Sequence, residues 1–134
     1  MPLDPVIQDL RAVVNTSMGS ATALSPAVDL MGYRVSAISF SSGWDAANRM
    51  TFQGSYDYGT ATSPTWRDHF DSVGNEWQIA SGSVASATGR IIALDPDVSL
   101  AISSMRYLRF RSGPSSAPAN PSTAIALSII LAPF

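Results

Sequence analysis

Met105-Arg-Tyr-Leu-Arg-Phe-Arg-Ser-Gly113 is the stretch whose reading decides the fold. Taken with a period of two, Leu108 and Phe110 fall on one face, and Tyr107, Arg109 and Arg111 on the other. That is a strand with a buried side and an arginine-bearing side, and Gly113-Pro114 closes it with a turn. The same grammar recurs along the chain. Arg49 to Ser55 sets Met50, Phe52 and Gly54 against Thr51, Gln53 and Ser55, and in Thr123 to Leu131 the residues Ile125, Leu127, Ile129 and Leu131 share one face. Tyr33 to Phe40, Thr65 to Phe70, Glu76 to Ala80 and Arg90 to Leu94 read as further strands, separated by Gly, Asp-Pro and Ser-rich turns. Ala21 to Leu30 reads as an edge strand, because Pro26 could not donate to a central ladder. Val98 to Ile102 reads as a single helical turn. About eight strands with almost no room for crossover helices predict an all-β fold, an antiparallel jelly-roll-like β-sandwich.

Composition agrees. The 134 residues make one domain's worth of chain, 46% hydrophobic but only 13% charged, against the usual quarter or so. All eight basic residues are arginine, and Glu76 is the sole glutamate. Helices draw their solvent faces from Glu, Lys and Gln, so their scarcity argues against a helical bundle. Sparse charge also implies a surface that is neutral-polar or covered by neighbours. A net charge of −2 gives no electrostatic case for nucleic acid as a partner. The absence of cysteine rules out disulfides and thiolate metal sites. The start Met-Pro-Leu-Asp-Pro lacks a signal-peptide pattern, and the apolar tail from Ala124 to Phe134 is about half the length that spans a bilayer, so no membrane role is expected.

One segment carries a helical pattern. Asp4 caps it, Pro5 suits its first turn, and Val6, Ile7, Leu10, Val13 and Val14 share a face. A helix of residues 4–14 is marginal alone, so it either packs across the sandwich or is an arm that orders against another subunit. Residues 1–20, ending in a linker from Ser17 to Ser20, are read as this arm or short helix, and residues 21–134 as the sandwich domain.

The chain offers little catalytic chemistry. His69 is the only histidine, no Gly-x-Ser-x-Gly elbow surrounds any serine, and Asp68 and Asp71 lie beside turns, where aspartate is expected for backbone reasons. Asp95 and Asp97 fall outside any calcium-loop pattern, and the glycines form no phosphate loop. We therefore expect no enzyme activity, no cofactor and no metal. The aromatic residues are the better candidates, because Trp, Tyr and Arg dominate interface hot spots. Trp44 and Trp66 are expected to plug the core, and Tyr56 and Tyr58 to be exposed. The partner-binding set is Val6, Ile7, Leu10, Tyr56, Tyr58, Tyr107, Arg109 and Arg111.

The succession Ser42-Gly-Trp-Asp-Ala-Ala47, Met50-Thr-Phe-Gln-Gly-Ser-Tyr-Asp57, Thr65-Trp66 and Arg106-Tyr-Leu-Arg-Phe-Arg-Ser-Gly113 resembles small virion proteins of tailed bacteriophages. The likeness covers residues 22–131, and its middle is also similar to discoidin-type jelly-roll carbohydrate-binding modules. It departs at Tyr58, where the pattern would have Gly directly after Asp57 and Gly59 comes one residue late. The resemblance implies a virion structural protein of the capsid decoration (cement) type. Its partners would be the major capsid protein and other copies of itself, with a trimer the first expectation. The other reading it allows is a tail- or fibre-associated component that binds carbohydrate.

Overall fold

The computed structural model describes residues 12–41, 44, 49–80, 89–121 and 124–134. Among these the strands are β1 (Ala12–Met18), β2 (Val28–Asp29), β3 (Arg34–Phe40), β4 (Met50–Ser55), β5 (Arg67–Asp68), β6 (Gln78–Ile79), β7 (Ile91–Ala93), β8 (Tyr107–Ser112) and β9 (Ile125–Ala132), with one helix, α1 (Pro96–Ile102). One sheet runs β1-β9-β3-β7 and the other β2-β8-β4-β5, with β6 also paired to β4, and every pairing is antiparallel. Strands β5 and β6 share one edge of β4 end to end, so together they stand for a single interrupted strand. Strands β1 to β4 then alternate between sheets, β5 and β6 stay beside β4, and β7 to β9 alternate again in the jelly-roll order, so the all-β sandwich predicted from the sequence is the fold.

Alternation builds the core. Across the first sheet, Val14, Ile129, Ile38 and Ile92 lie in one inward row, and Thr16, Leu127 and Phe40 in the next. From the second sheet Leu108 and Phe110 of β8 and Met50 and Phe52 of β4 come to meet them, all without exposed surface. Phe52 and Phe110 sit directly opposite each other and pack edge to face at 5.7 Å between centroids. Trp44 lies buried at the margin, edge-on to Phe40, as expected of a core plug.

Helix α1 begins with Pro96 in its first turn and buries Ile102. Its hydroxyls satisfy a break in β3: Ser99 Oγ donates to the Val35 carbonyl at 2.5 Å, and the Val35 N–H donates to Ser103 Oγ at 2.9 Å. The β3–β9 register slips between Val35 and Ala37 at that point, so the bulge and the helix are one feature.

The amino-terminal expectation requires correction. Residues 12–14 belong to strand β1, not to a helix, and the supposed linker at Ser17 is strand as well. Seven consecutive residues of β1 pair with β9, so the segment after residue 11 is part of the sandwich rather than of an arm. The rest of the expected helix, with Val6, Ile7 and Leu10, lies outside the described residues. The long strand expected over Ala21 to Leu30 is reduced to a bridge at Leu24 and the two residues of β2 on either side of Pro26.

Candidate partner-binding surface

The outward residues of β8 and β4 are paired Tyr107 with Ser55, Arg109 with Gln53 and Arg111 with Thr51. The loops above treat the first two pairs differently from the third. Over the first two lies the segment between β4 and β5, tied down by Asp57. Its carboxylate accepts from Ser55 Oγ and from the Thr65 N–H, both at 2.9 Å, while its carbonyl accepts from the Thr60 and Ala61 N–H groups. The Thr65 hydrogen bond holds the Asp57 pKa below the usual carboxylate range, against the opposing effect of desolvation.

This loop delivers Tyr58 and Trp66 to the sheet. Tyr58 packs against Trp66 at 5.6 Å and Tyr107 at 5.3 Å, and the Arg109 guanidinium stacks on the Trp66 ring at 4.2 Å. Gln53 fixes Arg109 from the side, its Oε1 accepting from Nε at 2.8 Å while its Nε2 donates to Asp68 at 2.9 Å. Gly59 leaves room for the Tyr107 hydroxyl, which a Cβ there would strike. Tyr58, Tyr107 and Arg109 are thus brought together as one pre-ordered aromatic and guanidinium cluster. Trp66 completes it. Expected in the core, it is instead half-buried on this outer surface, because its loop crosses the outer face of the sheet.

Arg111 does not belong to that surface. Its side chain is 4% exposed and pairs with Asp68 at 2.5 Å and Glu76 at 2.7 Å, and its Nε donates to Thr51 Oγ1 at 2.9 Å. Glu76 also accepts from the Ser115 N–H, so the ion group ties β8 to β5 and to the loops at residues 76 and 115. Burial pushes the Asp68 pKa up, but the hydrogen bonds from Arg111 and Gln53 outweigh it, and the net position is below the ordinary value. Arg106, on the opposite side of the strand, pairs with Asp29 at 3.0 Å.

Tyr56 stands apart from the cluster, 69% exposed, at a cleft of 150 Å³ lined by Gly54, Arg67, Asp68, His69, Ser104 and Met105. His69 turns inward over Gly54, where a Cβ would come within 2.7 Å of Nε2. That nitrogen is buried without a hydrogen-bond partner among the described residues, and burial holds the His69 pKa below its usual value despite the nearby Asp68 charge.

Opposite, the outer face of the first sheet has a different character. Its rows are Val13-Ile130-Ala37-Ala93, then Asn15-Ser128-Ser39-Ile91, then Ser17-Ala126. None of these side chains is ionisable. Arg34, at the end of β3, is folded onto the Pro133 carbonyl and Ser99 Oγ. The individual residues were legible as outward positions of strands. Their common neutrality was not, because it depends on which strands are neighbours.

The chain matches no protein-family model, no curated protein and no solved structure.

Proposed function

We propose that this protein is a structural subunit of a bacteriophage virion, a capsid decoration (cement) protein seated on the major capsid protein through the neutral outer face of its first sheet. The carrying observation is that face: three adjoining rows of apolar residues, serines and one asparagine with no charge among them. A sheet face left to solvent is ordinarily polar, whereas charged residues are depleted at the cores of interfaces. On the other side, the Tyr58, Trp66, Tyr107 and Arg109 cluster offers hot-spot side chains already held in place, which lowers the ordering cost of a second contact. A sandwich with two such faces is suited to bridging neighbouring capsomers, and copies repeated over a shell make weak contacts add up. The phage setting comes from the motif resemblance, and jelly rolls occur in viral capsids and lectins alike, so fold alone does not choose between them.

The test is co-sedimentation with heads that lack a decoration protein. Ala93→Glu together with Ala126→Glu adds charge at exposed outward positions and should abolish binding while leaving thermal stability nearly unchanged. The second reading, a carbohydrate-binding virion component, is favoured by the cleft beside Tyr56, where an aromatic ring adjoins Arg67, Asp68 and Ser104. Retention on a glycan array that is lost in Tyr56→Ala, with no binding to heads, would establish that reading in place of the first.

A further inference from the structure

The two sheets have four edges, and three of them are blunted. Strand β7 spans only three residues, and β2 spans two, follows Pro26 and is flanked by the Asp29–Arg106 ion pair. Strands β5 and β6 are two residues each, and β5 consists of Arg67 and Asp68. Short, proline-flanked and charged edges are how sandwiches avoid pairing with other chains. The edge at β1 has none of these features. It is seven residues long, free of proline and charge, and in unbroken register with β9. Among the described residues nothing pairs with its outer side.

We propose that β1 pairs antiparallel with β1 of a second copy of this chain, joining two four-stranded sheets into one across a two-fold axis. Two observations select this occupant. The inward side chains Ala12, Val14 and Thr16 remain half-exposed, although the inward residues Ile125, Leu127 and Ile129 of β9 are fully covered. A strand added at this edge would cover that row with its own alternate side chains, and β1 offers the uncharged set Ala12, Val14, Thr16 and the already buried Met18. Antiparallel self-pairing also sets a strand's own side chains against one another, so any charge tends to meet its like; β1 has no ionisable residue. Centring on Asn15 pairs the strand over its whole length, with Val13 opposite Ser17 and Val14 opposite Thr16. This keeps inward residues beside inward residues, and it extends the neutral outer face from one subunit into the next. The pairing is isologous and closes at two copies, unlike the expected trimer. It stands whether or not that face meets a capsid.

A charge exchange at the outward positions tests it, read by sedimentation equilibrium of the full chain alone. Wild type should be a dimer. Val13→Asp with Ser17→Asp places like charges across both outer pairs and should raise the dissociation constant by about tenfold or more. Val13→Asp with Ser17→Lys places opposite charges there and should restore the dimer. The restoring variant carries the same aspartate at 13, so a folding fault from that residue would show in both. Four results overturn the proposal: a wild-type monomer at every concentration, as when chain ahead of Ala12 covers the edge; a wild-type trimer; a dimer indifferent to the aspartate pair; or loss in both variants.

Discussion

Arg109 and Arg111 differ by one turn of the pleat and by everything that covers them. Alternation places both on the outer side of β8, and from sequence alone they belong to one exposed set. What separates them is the path of the connecting loops. Glu76, itself held by the Ser115 N–H, closes on Arg111, whereas Trp66 covers Arg109 only on one side. A period of two reports which side of a sheet a residue occupies and is silent about non-local loops. The sequence reading of Leu108 and Phe110 as core succeeded for the same reason: an inner face is covered by the opposing sheet whatever the loops do. The two arginines should therefore respond differently to truncation. Arg111→Ala leaves the largely buried Glu76 carboxylate without its ion partner and should cost about 3–5 kcal/mol, a large part of a typical stability of roughly 5–15 kcal/mol. Arg109→Ala gives up one stacking contact and one hydrogen bond and should cost about 1 kcal/mol. Urea denaturation of both variants provides the comparison, and similar losses would mean that the buried ion group does not hold the loops.

At the scale of the element, β1 was the hardest to read. Val6, Ile7, Leu10, Val13 and Val14 fit a helical stripe, while the strand's own inward set, Ala12, Val14, Thr16 and Met18, contains one small and one polar residue and gives only a faint alternation. Its conformation is decided by β9, more than a hundred residues later, whose seven matched positions supply the ladder. Interior strands β8 and β9 were legible because they carry their burial in their own side chains. The short strands β5 and β6 were seen as longer ones, because backbone pairing to β4 ends where the chain leaves for the turn at Asp71. This account predicts two outcomes for truncation. Deleting residues 1–19 removes β1 and uncovers one side of Ile125, Leu127, Ile129 and Leu131, so the product should be insoluble or molten, with lost near-ultraviolet dichroism. Deleting residues 1–11 retains β1 and should leave a cooperatively folding sandwich. If the longer deletion also folds cooperatively, β1 is dispensable to the core.

For the whole molecule, the groups that titrate between acid and neutral pH and have displaced pKa values all push stability the same way. Asp29, Asp57, Asp68 and Asp71 lie below their ordinary value in the folded chain. The cause is the Arg106 hydrogen bond at Asp29, and at Asp57 and Asp71 backbone N–H groups of Thr65 and Asn75. At Asp68, burial raises the pKa, but Arg111 and Gln53 more than offset it. His69 is also displaced downward, by burial against Gly54 and Met105. In each case the unfolded chain binds its proton at a higher pH than the folded one does, so stability rises with pH across the interval between the two values. For the carboxylates that contribution is complete above about pH 4 and is lost as pH falls through their folded values. For His69 the neutral ring is what the fold accommodates, so the loss begins as pH drops below about 6.5. The molecule should therefore be most stable near neutrality and weaken in two stages on acidification. His69→Gln removes the group responsible for the first stage while keeping a side chain of similar reach over Gly54. Urea midpoints measured from about pH 7.5 down to about pH 3 should decline below pH 6.5 in the wild type, whereas in His69→Gln they should stay level until the carboxylates titrate. A wild-type curve flat between pH 7 and 5 would mean that the ring is solvated in the folded protein, contrary to its packing against Gly54.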